Sequence, residues 1–588
     1  MLNMLRRLWR QLAARRRVQL GGLLVVMLAA SVAELFSIGM VIPFLGVLTT
    51  PEAVYQHRFV KPLIETFGLA NRQDLQLAIF LMFVLAVVAA ACIRFLLIWL
   101  QARLTLNIIN ELATNAYRKV LHQPYSEHVA RNSSEVIAGI LSKISGGVGG
   151  LINAALTFVG SQLILIAIVA ALIFYDPVFA LSSFAVFGAV YALVVMTTKR
   201  QLARDSDRIN VEAGRVVRVL QEGLGGIRDV LLDGHQAVHS NLFKQTDFKL
   251  RKAQANVTVI SAGPRFVIEA IGIVAIAVIA YALSTRPGGV IAAIPIMGAL
   301  AVGAQRMLPL LQQAYSSWAL MMGNRDSLGD ALKLLELPEP DEKAAADEVK
   351  RIPFDSEIRL ENVSFHYQPE GPAVLEQLDL RIPKGARIGF IGETGSGKST
   401  LIDVLIGLLS PSGGRMTVDG RTIDLSNHKA WQKHIAHVPQ TIFLSDASIA
   451  ENIAMGAPGG EIKMERVRLV ARQARIADTI EAWPDGYETS VGERGVKLSG
   501  GQRQRIGIAR ALYKQADVII FDEATSALDS DTERAVMQAI DELGSELTIL
   551  IVAHRLTTLK GCSQIYELQA GRLKPVGTYA DLVEETAV

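Results

Sequence analysis

The sequence predicts a polytopic α-helical membrane domain joined to an α/β domain of the P-loop class. Three observations predict it. Six apolar tracts of membrane length crowd the first half of the 588 residues, a glycine-rich string follows a short apolar strand near position 390, and a later apolar strand ends in two carboxylates. Composition agrees. Hydrophobic residues make up 51% of the chain and mean hydropathy is positive, more than a water-soluble core requires. The length alone calls for more than one unit.

A membrane span needs about 20 apolar residues, and candidates lie at 18–48, 76–100, 147–174, 178–198, 257–283 and 289–313. The N-terminus, MLNMLRRLWRQLAARRR, carries six arginines and no acid. The apolar run behind it is too long for a signal peptide and lacks a clear small-residue cleavage site, so it reads as an amphipathic cytoplasmic anchor leading into a retained span. The segments 101–146 and 199–256 are rich in Lys and Arg, among them Arg103, Arg118, Lys119, Lys199, Arg200, Arg204 and Arg208. The positive-inside rule puts these segments and both ends of the chain in the cytoplasm. A net charge of +3 over the whole chain says little. Only Cys92 and Cys562 occur, so no disulfide framework follows.

Both cytoplasmic segments have helical patterning. Read as continuous helices, 178–222 and 238–283 would each run roughly 65–70 Å, about twice the hydrocarbon thickness. Their turns, near 122–134 and 223–236, are suited to touch a cytoplasmic domain. Asp176-Pro177 makes the connection between the third and fourth spans tight. Outside, residues 49–75 form the one sizeable loop, with Val60, Leu63, Ile64 and Phe67 on a single helical face. Residues 1–335 thus read as the membrane domain, 336–355 as a polar linker, and 356–588 as the second domain.

That second domain carries chemistry. Residues 392–400 read GETGSGKST, behind the buried strand RIGFI and ahead of a helix from Lys398. Such a string arises by chance in about one chain in fifty of this length. Gly392, Gly395 and Gly397 leave room for backbone N–H groups, including those of Glu393, Thr394, Ser396 and Thr400, to wrap phosphate oxygens at a helix N-terminus. Lys398 is placed for the β/γ-phosphates and Ser399 for Mg²⁺. Asp522, ending the strand VIIF, is the expected Mg²⁺ carboxylate, and Glu523 after it is the candidate base that aligns an attacking water. His554 ends the strand TILIVA; a lone His is more often structural, but behind these motifs a γ-phosphate contact is favoured. The string LSGGQRQR, with Ser499, Gly500, Gly501 and Gln502, stands between the two strands' motifs. ATP and Mg²⁺ are therefore the expected substrate and cofactor.

Together these strings resemble the ABC transporter family, in its type IV exporter architecture, over essentially the whole chain. The resemblance implies that Tyr367 stacks on adenine, that Gln440 meets Mg²⁺ and the attacking water, and that Ser499 and Gly501 contact the γ-phosphate of a site held by a second chain. One membrane unit and one ATPase per chain then imply a homodimer. Six spans exclude a nucleic-acid-handling ABC ATPase. An ATP-gated channel or regulator is the rival from another class, and an intact Glu523 and LSGGQ favour a pump.

Charged residues interrupt the spans: Arg94, Arg265 and Arg306, with Glu34 and Glu269. Intramembrane charge is costly and usually faces a cavity or a partner. Counting at 1.5 Å per residue puts the three arginines in the cytoplasmic half and Glu34 in the outer half. Arginine suits phosphate, being a permanently charged bidentate fork. The bland reading is an Arg265–Glu269 helical pair with Arg94 and Arg306 snorkelling to the interface. Four strings, Ile38–Phe44 (IGMVIPF), QPYSEHVARNSSE (123–135), GPRFVIEAIG (263–272) and QRMLP (305–309), resemble the lipid-linked-oligosaccharide flippases of bacterial protein N-glycosylation. That resemblance implies a polyprenyl-pyrophosphate-linked glycan as cargo, Arg94, Arg265 and Arg306 as its contacts, and outward movement across the inner membrane. A lipid A or drug exporter is the alternative.

Overall fold

Every predicted apolar tract is helical wherever it falls on residues that the computed structural model describes: 1–41, 44, 72–175, 177–284, 307–339, 350–368, 370–457, 461–524, 528–541, 546–553 and 555–587. The outer loop with Val60, Leu63, Ile64 and Phe67, residue Asp176, most of the sixth tract with Arg306, most of the linker, and His554 lie outside these residues. The chain divides into two units, one of residues Met1–Gln123 and Arg131–Glu339, the other of Pro124–Ala130 and Pro340–Val588.

In the membrane unit, a short amphipathic helix α1 (Leu2–Gln11) leads into α2 (Ala14–Gly39) and then the 50-residue α3 (Arg72–Leu121). Helix α4 (Tyr125–Ala130) follows and belongs to the second unit. A short α5 (Ser133–Ala138) and a π-helix (Gly139–Val148) then run into α6 (Gly149–Tyr175). The 49-residue α7 (Pro177–Gly225) is about 74 Å long at 1.5 Å per residue. Next come α8 (Ile227–Leu232), α9 (Gln236–Ala262) and α10 (Pro264–Ser284). Residues 307–323 form α11, and α12 (Arg325–Leu335) closes the unit. Three stretches among the described residues are long and apolar enough to cross a membrane: Ala14–Ser37, Gln76–Leu121 and Ser133–Ala170. Outward side chains such as Val32 and Phe95, 65% and 74% exposed, are the surface that hydrocarbon would cover.

One expectation changes. The tract 238–283 is two helices meeting at Gly263, where the N–H of Gly263 still bonds the carbonyl of Val259 at 2.7 Å. Pro264 has no N–H to continue the ladder and its ring crowds the preceding turn, so the helix breaks there. The π-helix is a second feature that periodicity does not announce. Two of its glycines stand where neighbours press close: a Cβ at Gly147 would lie 2.8 Å from Cβ of Ser327, and one at Gly139 would collide with Cδ1 of Leu334.

Two apolar cores hold this unit together. One joins α1, α2, α3, the π-helix, α6 and α12 through residues such as Leu8, Met27, Ile108, Ile144 and Leu332. The other joins α6, α7, α9, α10 and α11 through Ile168, Leu202, Val257, Ile268 and Leu311. Asp330 on α12 ties the π-helix and α7 to α12. Its carboxylate accepts from Lys143 of the π-helix at 2.6 Å, Asn210 of α7 at 2.9 Å and Lys333 at 2.8 Å.

Among the described residues, the second unit has two sheets. Strands β1 (Glu357–Phe365), β2 (Leu375–Pro383), β4 (Gly413–Val418) and β5 (Arg421–Thr422) form an antiparallel sheet in the order β2-β1-β4-β5. The other sheet contains β3 (Arg387–Ile391), β6 (Ile435–Val438), β7 (Val518–Asp522), β8 (Thr548–Val552), β9 (Gln564–Gln569) and β10 (Arg572–Gly577). Its order is β10-β9-β3-β8-β7-β6, parallel except for β10. Parallel strands are buried on both faces, which is why β3, β7 and β8 read as unbroken apolar runs. All five residues of β8 are buried. The carboxyl ends of β3 and β7, flanking β8, form one edge where a ligand can sit.

Candidate functional site

The phosphate string turns between β3 and helix α13 (Lys398–Ile406). The turn needs glycine at three points, since Gly395 also has a positive φ, +85°. Gly392 has φ +146°, and a Cβ there would meet the carbonyl oxygen of Leu568 at 2.3 Å; Gly397 caps the helix at φ +104°. A Cβ at Gly395 would meet no atom within 4 Å, so the loop is open to an approaching anion at that point. Lys398 is buried, and its ammonium donates back to the carbonyls of Gly392 at 2.7 Å and Glu393 at 2.8 Å. Ser396 Oγ is buried with no hydrogen-bond partner among the described residues, an unmet polar atom in the middle of the cradle. Ser399 is exposed, as are Glu393 and Thr394. Thr400 is buried, with its hydroxyl 3.1 Å from that of Tyr367. Tyr367 stands edge-on to Phe365 and is half exposed, so its ring keeps a face for stacking.

At the end of β7, burial and the neighbouring charge of Glu523 push the Asp522 carboxyl above the usual carboxylate range, while Lys398 opposes them. Asp403, one turn beyond Ser399 on α13, is pushed up to about 6 by burial and then by Asp522. Crowded carboxylates of this kind gain from a divalent cation. The oxygen donors at hand, the Ser399 hydroxyl, the Asp522 carboxylate and the Gln440 amide, match Mg²⁺, which takes only one or two protein carboxylates. No cluster of three or more His, Cys, Asp or Glu suited to a metal occurs among the described residues.

Glu523 sits in the left-handed region at φ +52°, fixed by its N–H bonding the carbonyl of Val552 at 3.0 Å. The Gln440 amide, two residues after β6, donates to Oε2 of Glu523 at 2.6 Å. Sequence reasoning had no chemical signal for Gln440; the pairing supplies one. The LSGGQ string opens helix α14 (Gly500–Tyr513). Ser499 Oγ accepts from the N–H of Gln502 at 3.2 Å, and the Gln502 side chain accepts from the N–H of Ser499 at 2.8 Å, a capping box. Gly500 and Gly501 occupy the first helical turn, where N–H groups lack helical acceptors and suit an anion. This pair of bonds links Ser499 to Gln502 and not to the P-loop. A cavity of about 570 Å³ is lined by Gln440, Phe443, Gly500 and Arg503.

Two residues were missed. Asp403 lacked any motif. Tyr125 of α4 lies in QPYSEHVAR, a string read only as resemblance; its hydroxyl is held above the usual range by burial, then by Asp403 and Tyr367, so α4 borders the Tyr367 side of the site.

In the membrane unit, Arg94 of α3 forms an ion pair with Glu34 of α2. The two therefore share one level, against the placement in opposite halves obtained by counting from span ends. Counting failed because the ends of an apolar tract do not mark the membrane faces when the tract sits inside one longer helix, as α3 does from Arg72 to Leu121. Arg265 is 3.7 Å from Glu269, one turn along α10, with both side chains more than half exposed.

Residues 25–286 match the family model of the ABC transporter transmembrane region, and residues 375–526 the family model described as ABC transporter. The ATP-dependent lipid A-core flippase of Methylococcus capsulatus is 30% identical over 534 residues, covering 90% of this chain and 87% of the relative. The protein of that name from Vibrio cholerae is 29% identical and covers 94% of each. The structure of a bacterial Atm1-family ABC exporter with ATP bound matches with a TM-score of 0.78 at 21% identity, over 97% of this chain and 96% of that one.

Proposed function

The chain belongs to the ABC transporter family, and from that premise we propose that two copies form an ATP-driven flippase for a phosphate-bearing glycolipid. It is a membrane-spanning exporter whose ATPase couples hydrolysis to transport. The proposed direction is from the inner to the outer leaflet of the cytoplasmic membrane, with the ATPase and both termini cytoplasmic. The observation that carries the ATP chemistry is the Gln440–Glu523 hydrogen bond at the edge of the P-loop sheet.

Each residue then has a role. Tyr367 stacks on adenine, while the N–H groups from Glu393 to Thr400 cradle the phosphates. Lys398 leaves its two loop carbonyls for the β/γ-phosphates, and Ser396 Oγ finds its missing partner there. Ser399, Asp522 and Gln440 would hold Mg²⁺, which neutralises phosphate charge when bound. Glu523 takes a proton from the attacking water that Gln440 helps to align, and His554 contacts the γ-phosphate. Ser499, Gly500, Gly501 and Gln502 come from the second chain, their helix N-terminus turned toward that phosphate.

For the cargo, the relatives' names favour a lipid A-type molecule over the polyprenyl-pyrophosphate-linked oligosaccharide that the four membrane strings suggest. Both carry phosphate on a glycan anchored in lipid, and Arg94, Arg265 and Arg306 suit phosphate. The test is ATPase stimulation of the purified protein in nanodiscs. Lipid A-core should stimulate most, a polyprenyl-pyrophosphate oligosaccharide less, and hydrophobic drugs least. Stimulation by the oligosaccharide alone would reverse the order of the two cargoes. Stimulation by drugs alone would reject both.

A further inference from the structure

The membrane unit contains a cavity of about 620 Å³ between α2, α3, α6 and α11. Apolar side chains such as Met27, Leu97 and Ile164 line most of it, and Glu34 and Arg94 also face it. Two turns along α3 from Arg94, the Gln101 amide donates to Asn153 Oδ1 at 2.8 Å and Thr157 Oγ1 at 3.0 Å, giving the cavity a second polar edge. The two members of the ion pair are not alike. Glu34 is only 5% exposed, whereas Arg94 is 46% exposed. One charge is sealed between helices, and the other reaches into open space.

A buried carboxylate at this level is held by a neutralising partner, because an unpaired one would be strongly disfavoured. A phosphate headgroup entering the cavity would therefore meet a cation already neutralised by Glu34. To bind it in the bidentate manner that arginine favours, the headgroup must take Arg94 from Glu34.

We propose that Glu34 is a resident counter-anion that competes with the cargo's phosphate for Arg94. It lowers the affinity of the cavity for the headgroup and reclaims Arg94 when the cargo leaves. A transporter gains from this, since a bare arginine in an apolar cavity would hold a phosphate too tightly to release it. The inference rests on the reading of Arg94 as a cargo contact. It adds regulation of that contact by a neighbour that the motifs did not single out.

The test uses the full-length dimer in nanodiscs and measures dissociation constants for three probes: lipid A, a polyprenyl monophosphate and phosphatidylglycerol. Glu34→Gln should tighten lipid A or the polyprenyl phosphate about tenfold, the loss of one competing charge-assisted contact. It should also slow release of the bound probe. Arg94→Gln should weaken binding by a similar factor, and the double variant should behave as Arg94→Gln. Glu34→Asp, which keeps the charge but withdraws it by one methylene, should fall between wild type and Glu34→Gln. Thermal midpoints are read alongside. If Glu34→Gln binds no tighter while Arg94→Gln binds more weakly, the counter-anion is overturned and the Arg94 reading stands. If both variants lower the midpoint and weaken binding alike, the pair is a structural staple and the inference fails. If neither affects any probe, the cargo reading of Arg94 fails first. Equal tightening for phosphatidylglycerol would make the cavity a site for bulk anionic lipid and overturn the cargo assignment.

Discussion

Glu523 is held so that little besides its charge can change on conversion to glutamine. Its backbone is locked by the bond to Val552, and its carboxylate accepts from Gln440. Glutamine is nearly isosteric and can still accept that bond through its amide oxygen, but it cannot take a proton. Glu523→Gln should therefore bind nucleotide as wild type does and lose at least about a hundredfold in turnover, the typical contribution of a positioned base. Steady-state hydrolysis within a few-fold of wild type would remove Glu523 from that role. At this scale the sequence was legible where chemistry needs a fixed spacing. The P-loop and the Asp522–Glu523 pair stand in one short string each, so order along the chain is order in space. Asp403 and the Gln440–Glu523 bond were not legible, because they depend on which strands and helices become neighbours. The Arg94–Glu34 pair shows the same limit, joining residues 60 positions apart in sequence.

Among the elements, long helices were legible from apolar tracts flanked by basic, helically patterned segments, and α7 spans the whole length expected of it. The break at Gly263 was written in the sequence as Gly-Pro, but the apolar pattern running across it hid the interruption. The π-helix left no trace in periodicity, and Gly139 and Gly147 acquire a reason only from Leu334 and Ser327 pressing on them. Asp330 is what fastens that π-helix to α7 and α12. Burial alone would raise its carboxyl, but hydrogen bonds from Lys143, Lys333 and Asn210 outweigh this and hold it well below the usual range. A depressed carboxyl stabilises the fold above its unfolded value of 3.8 and loses that contribution as pH falls below it toward the folded value. Asp330→Asn should destabilise by on the order of 1–3 kcal/mol at neutral pH. The thermal midpoint difference from wild type should be flat down to about pH 5 and shrink below about pH 4. A difference that stayed constant down to about pH 3 would mean that packing, not the carboxylate's charge, is what the substitution removes.

On the scale of the whole molecule, one polypeptide supplies one phosphate cradle and one LSGGQ helix, and the capping bonds of the latter join Ser499 to Gln502. The proposed second copy would give each cradle an LSGGQ helix. Family and architecture were legible from the motifs, because LSGGQ stands between a P-loop and a strand that ends in two carboxylates, all behind a run of membrane-length apolar tracts. Cargo was less so, because phosphate recognition by a few arginines is shared by lipid A and polyprenyl-pyrophosphate molecules alike. The most direct measurement is flipping itself: the protein in liposomes, fluorescent lipid A-core or polyprenyl-pyrophosphate oligosaccharide in the leaflet facing the ATPase, and arrival in the other leaflet followed by quenching. An ATP-driven flippase moves at least one of these lipids at a rate that requires ATP and disappears in Glu523→Gln. Translocation equally fast without ATP, or hydrolysis by the wild type with neither lipid moved, would contradict it.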